Sequence, residues 1–175
     1  MVLVTINFDE LIEHDHGDAL DIAIDDDDFV RLAPILGGMR QGSAHPDAKI
    51  PLLKLHGTIN RPETCVVTDA QTRSGITPAK TEALMSLVRD VPPLSSVPWV
   101  YVGASMRDID LDRIFGLREF NESVSERWVM PWLEPSVRRF VDGKNRSWAA
   151  HESLLERTVT ETADSFMRTL ADEWP

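Results

Sequence analysis

Cysteine is all but absent from this chain: among 175 residues only Cys65 carries a thiol. Disulfides within the chain and thiolate zinc knuckles are both excluded, because each needs more than one cysteine. No stretch approaches the ~18 consecutive apolar residues of a membrane helix. A membrane partner is therefore not expected, and a cytoplasmic setting is. Basic residues are scarce beside acidic ones, with 18 Lys and Arg against 29 Asp and Glu and a formal net charge of -11. A nucleic-acid face needs clustered Lys and Arg, so nucleic acid is not an expected partner either. Internal repeats and low-complexity linkers are also lacking. With 42% hydrophobic residues to build a core, one domain over residues 1–175 is expected, since domains usually run to roughly 100–200 residues.

What is present centres on Ile50–Asn60, IPLLKLHGTIN. Its apolar run reads as a short buried strand. His56 and Gly57 stand where the run ends. In open α/β sheets ligands gather outside the carboxyl ends of the strands. A histidine there can titrate near neutral pH, and Gly57 admits a sharp turn or a close ligand. On its own, His56 reads more simply as a structural histidine.

The flanking sequence supplies further elements. Met1–Phe8 reads as a buried parallel strand, with Asn7 and Asp9 at its carboxyl end. Asp9 can cap a short helix at Glu10–Glu13. His14–Asp28 is acidic and reads as a solvated loop; His14, His16 and Asp18 share no helix face and are not taken as metal ligands. Phe29–Met39 reads as a helix interrupted by Pro34 and ended by Gly37-Gly38. Glu63–Thr68 is expected as a strand. Thr77 and Pro78 then form a helix start, with Ala83, Leu84, Leu87 and Val88 as the apolar stripe.

Val97–Val102 reads as another strand, ending in Gly103-Ala104-Ser105 before a helix capped by Asp108. Asp108, Asp110, Asp112 and Glu119 mimic a calcium loop, but Arg113 stands where glycine is required, so calcium is rejected. Glu126–Trp132 reads as a last strand and Glu134–Val141 as a short helix. Leu155, Val159, Ala163, Phe166, Leu170 and Trp174 give an amphipathic C-terminal helix. Strands alternating with helices imply an α/β layered sheet. If its strands are parallel, Asn7/Asp9, His56/Gly57 and Gly103/Ser105 share one crevice.

These residues carry a family resemblance. TINFDELIE at Thr5–Glu13 resembles the Thr-Asn-Tyr/Phe-Asp-x-Leu-Ile-Glu motif of bacterial sirtuin-like (SIR2-like) domains. KLHGTIN at Lys54–Asn60 is similar to their Lys-Leu-His-Gly-Ser-Ile-Asn motif. VGASMRDIDLDRIF at Val102–Phe115 resembles their Gly-Tyr-Ser-Leu-x-Asp-x-Asp segment, and TADSFMRTL at Thr162–Leu170 their closing helix. Order and spacing agree along nearly the whole chain.

The resemblance implies a Rossmann-like parallel sheet with helices on both faces, binding NAD. Many members cleave the nicotinamide–ribose bond, as protein deacylases or as NAD hydrolases in anti-phage defence. By position, Asn7 would hold the nicotinamide-side ribose or the attacking water, with Asp9 supporting that pocket and His56 as general base. Thr5 and Gly57 would also border the dinucleotide, and Gly103 and Ser105 its adenosine half. With Cys65 alone there is no zinc module, which favours NAD hydrolysis over deacylation. The family's opening strand and Gly-Ala-Gly phosphate loop precede the Thr-Asn motif, whereas this sequence starts at that motif. A copy without its first βα unit is therefore expected, with a homo-oligomer or a partner protein covering the exposed sheet. A non-catalytic NAD- or ADP-ribose-binding or interaction module is the alternative reading.

Overall fold

The computed structural model describes residues 1–40, 49–88, 99–102, 126–130 and 158–173. They belong to two compact units, Met1–Arg89 and Asp90–Pro175. The first unit holds a three-stranded sheet of β1 (Leu3–Thr5), β2 (Leu20–Ala23) and β3 (Ile50–Lys54) in the order β1-β3-β2. Both pairings are parallel; Leu3 stands opposite Leu52, and Leu20 opposite Ile50. The central strand is buried from Pro51 to Lys54. That explains its nearly unbroken apolar run, since a strand covered on both faces has no solvent side on which to place alternate polar residues.

α1 (Leu11–His16) follows β1, and the Leu11 N–H donates to Oδ1 of Asp9 at 3.2 Å. The segment read as an acidic loop is structured instead. α1 runs to His16, a single 3-10 turn spans Gly17–Ala19, and β2 follows, with Leu20 and Ala23 buried. Asp21 hid this strand, yet an edge strand tolerates a charge facing outward. Here that charge pairs with Arg31 at 2.9 Å.

α2 (Asp26–Arg40) begins earlier than the sequence suggests and passes through both Pro34 and Gly37-Gly38. Its start is stitched reciprocally: Asp28 N–H donates to Oδ1 of Asp25, and Ile24 N–H donates to Oδ2 of Asp28. Interior proline costs a helix about 3 kcal/mol. Phe29, Leu32 and Leu36 are completely buried on one face, and each such side chain is worth roughly 1.5–3 kcal/mol. Burial outweighs the break.

Glu63–Thr68 is not a strand. Pro62–Thr64 forms a 3-10 turn, and the following segment meets the rest through the Val66 N–H, which donates to the His56 carbonyl at 2.9 Å. Val67 is exposed, so the Val-Val pair has no sheet face to cover. A short helix, α3 (Asp69–Ser74), follows with a capping box formed by Thr68 and Gln71. α4 (Pro78–Val88) starts as expected at Thr77, whose hydroxyl accepts from the Lys80 N–H at 3.4 Å. Its Ala83 and Leu84 are fully buried, and α4 packs on α2.

In the second unit β4 (Trp99–Val102), β5 (Glu126–Val129) and β6 (Thr158–Val159) form a parallel sheet in that order. Tyr101, Val129 and Met130 are buried. The C-terminal helix is shorter than its periodicity suggests. β-branched Thr158 and Val159 pair with β5 as a strand, and α5 (Ala163–Glu173) starts after Thr162, whose hydroxyl accepts from the Ser165 N–H. The helices expected after Asp108 and at Glu134–Val141, and the calcium-like positions, lie outside the described residues. Among the described residues no helix is long and apolar enough to cross a membrane.

Candidate functional site

The carboxyl ends of β1 and β3 are neighbours, so the loops leaving them meet. The parallel ladder is extended by the Leu55 N–H, which donates to the Thr5 carbonyl at 3.0 Å. Past it, the Ile59 N–H donates to the Phe8 carbonyl at 2.9 Å. The loop that carries Asn7 and Asp9 after β1 thus lies against the loop that carries His56 and Gly57 after β3.

Thr5 uses its hydroxyl locally, accepting the Asn7 N–H at 3.1 Å. The Asn7 side chain is exposed, and among the described residues its amide has no partner within the protein. His56 is 5% exposed, and its ring lies 6.5 Å from that of Phe8, centroid to centroid. Gly57 has φ of 88°, and a Cβ there would stand 2.3 Å from the Thr64 carbonyl oxygen. The close approach that this glycine permits is therefore to the Pro62–Thr64 turn. Gly103 and Ser105 lie outside the described residues.

The two loops are also held by side chains that sequence reading did not single out. Lys54 is completely buried. Its ammonium donates to the Asp9 carbonyl and to Oε1 of Glu13 at 2.6 Å. Glu10 spans the gap in the other direction: Oε1 accepts from the Thr58 hydroxyl at 3.1 Å, and Oε2 accepts from the Asn60 amide. Burying Lys and Glu is costly unless they are paired and hydrogen-bonded, and these pairs explain why charged and amide residues sit in both motifs. The signal was in the sequence, in the Glu10/Glu13 and Lys54/Thr58/Asn60 spacings, but only adjacency of β1 and β3 discloses it.

The loop leaving β3 also reaches the turn between β2 and α2. Arg61 donates to Oδ2 of Asp25 at 2.6 Å. The Asp28 N–H and then this guanidinium hold the Asp25 carboxyl below its ordinary value. The Cys65 thiol donates to the Thr58 carbonyl at 3.2 Å. From α4, Lys80 donates to the Leu55 carbonyl at 2.7 Å, and burial pushes its ammonium below the ordinary lysine value. Among the described residues, no group of three His, Cys, Asp or Glu side chains is placed to hold a metal ion.

A family model described as SIR2-like domain matches residues 1–154. The chain belongs to the SIR2-like family. No curated protein and no solved structure matches it. Both interlocked loops fall within the SIR2-like match. The parallel sheets and intervening helices are an α/β, Rossmann-like arrangement, as that family requires.

Proposed function

We propose that this SIR2-like chain binds NAD and hydrolyses its nicotinamide–ribose bond. The observation that carries the reading is the placement of an exposed, unpartnered Asn7 amide and the His56 imidazole on adjoining strand ends. Carboxyl ends of parallel strands are where open α/β sheets take nucleotides.

The residue types suit the reaction. Breaking the bond between C1′ and the pyridinium nitrogen sends the electron pair to the ring and releases neutral nicotinamide. The oxocarbenium-like sugar is then attacked by water, whose oxygen bonds to C1′ and whose proton must be removed. No strong acid is needed for the leaving group. An asparagine amide donates and accepts at once, so Asn7 orients water or a ribose hydroxyl without adding charge. His56 takes the proton as general base, a task for which histidine is matched near neutral pH. Thr5 holds the Asn7 backbone, and Asp9 and Gly57 border the pocket. Gly103 and Ser105 are assigned to the adenosine half on family position alone. A homo-oligomer, a cytoplasmic setting and a role in anti-phage defence belong to the same proposal.

The test is nicotinamide release from NAD by the purified chain and by folded His56→Ala. Turnover abolished in the variant supports the assignment, and equal turnover in both removes it. The near-complete burial of His56 favours a second reading, a non-catalytic module that holds NAD or ADP-ribose. Calorimetric binding of either ligand without nicotinamide release selects that reading.

A further inference from the structure

Lys80 belongs to neither motif. It sits in the first turn of α4 and is 5% exposed. Buried lysines are usually paired with a carboxylate. Among the described residues none is within salt-bridge reach of this one. Its ammonium instead lies 5.4 Å from the centre of the Phe29 ring, within the range of a cation–π contact. Its hydrogen bond is to the Leu55 carbonyl at 2.7 Å.

That carbonyl belongs to the peptide group joining Leu55 to His56. The backbone groups on either side of this peptide are also held. The Leu55 N–H is bound by Thr5 of β1, and the His56 carbonyl accepts from the Val66 N–H at 2.9 Å. Rotation of the Leu55–His56 peptide would swing the imidazole, and Lys80 is the side chain that resists this rotation from outside the sheet. A charged donor makes a stronger bond to a carbonyl than a neutral one does. That strength accounts for placing an ammonium, with its desolvation penalty, where a methionine would pack.

We propose that Lys80 is a positioning residue that sets the orientation of His56 through the Leu55 carbonyl. The inference rests on the reading of His56 as general base, but its structural half stands without it. Misplacing a reacting group by about 1 Å costs on the order of 10²-fold in rate. Loss of Lys80 therefore acts on kcat and spares KM.

The experiment compares wild type, Lys80→Met and Lys80→Arg as full chains, with folding checked by circular dichroism. Nicotinamide release gives kcat and KM, and NMR of ring-labelled histidine reports the His56 imidazole. Folded Lys80→Met should lose about 10- to 100-fold in kcat, with KM within about twofold and the His56 ring resonances displaced. Lys80→Arg, which retains a cationic donor, should recover a large part of both. Unmoved His56 resonances in folded Lys80→Met overturn the proposal, as does an unchanged kcat. If no form of the chain releases nicotinamide, the hydrolase reading fails and the NMR comparison alone decides the positioning role. Should Lys80→Met not fold, Lys80→Gln takes its place with the same readouts, because its amide keeps a donor but is too short to reach Leu55.

Discussion

Lys54 and Glu13 form an ion pair between β3 and α1, with Nζ 2.6 Å from Oε1 and the lysine side chain wholly removed from water. The same ammonium donates to the Asp9 carbonyl. One buried cation therefore fixes the course of the loop that carries Asn7 and the helix that follows it.

Removing one partner of this pair should be far worse than removing both. In Lys54→Met the Glu13 carboxylate loses its partner on Oε1, while Oε2 already has no hydrogen-bond partner among the described residues. Breaking a buried pair from one side costs about 3–5 kcal/mol, whereas replacing both charges by apolar groups is often neutral. Chemical denaturation should show a loss of that order for Lys54→Met and a substantial recovery in Lys54→Met/Glu13→Leu. Additive losses would contradict the pairing.

Gly57 should not tolerate a side chain. Its φ of 88° lies in the left-handed region, and the added Cβ would meet backbone atoms of Thr64. A non-glycine residue held in such a conformation costs about 1–3 kcal/mol before any clash. Gly57→Ala is expected to lower stability by at least that much in a denaturant titration. A midpoint unchanged from wild type would mean that the turn rearranges freely.

Asn7 should behave in the opposite way. Its side chain is exposed and unpartnered among the described residues, and surface substitutions away from special features usually change stability by no more than about 0.5 kcal/mol. Asn7→Ala is therefore expected to melt with wild type yet to lose nicotinamide release by at least about tenfold, since a general base without an oriented water loses its geometric advantage. Full turnover in Asn7→Ala would remove it from the catalytic pair.

Lys80 makes stability depend on alkaline pH. Burial lowers its folded value below the ordinary 10.5, against the opposing pull of Asp26 and Asp25. Between the folded and unfolded values the unfolded chain binds more protons, so stability rises with pH. The penalty of the buried charge is complete below the folded value and is relieved as pH climbs toward 10.5. The stability of wild type relative to Lys80→Met should accordingly increase across that alkaline window in urea titrations. A flat or falling difference would show that the ammonium is not desolvated.

A good share of the first unit was legible in the linear pattern. Pro51–Leu55 announced a strand covered on both faces, and Thr77-Pro78 announced the start of α4. Asp9 marked the entry to α1, and the ordered motifs marked the SIR2-like family. Each of these signals is local, encoded within a few residues by burial on both faces, by cap chemistry or by a fixed backbone dihedral. The errors were local readings overruled from a distance. Pro34 failed to break α2 because Phe29, Leu32 and Leu36 bury against the unit's core. Asp21 failed to prevent β2 because an edge strand can turn a charge outward to Arg31.

The alternation of strands with helices, and the polar residues gathered where strands end, can be read along the linear chain. That β1 lies against β3 and not against β2 emerges only in the folded sheet. That choice lays the loop carrying Asn7 against the loop carrying His56 and sets Lys54 against Glu13 across a separation of 41 residues. It also lets Lys80 reach the Leu55 carbonyl from α4. Strand order is chosen by the total apolar area and the number of paired charges that each arrangement buries. No short window contains that sum, so the partners of Lys54 and Lys80 become visible only once the sheet has formed.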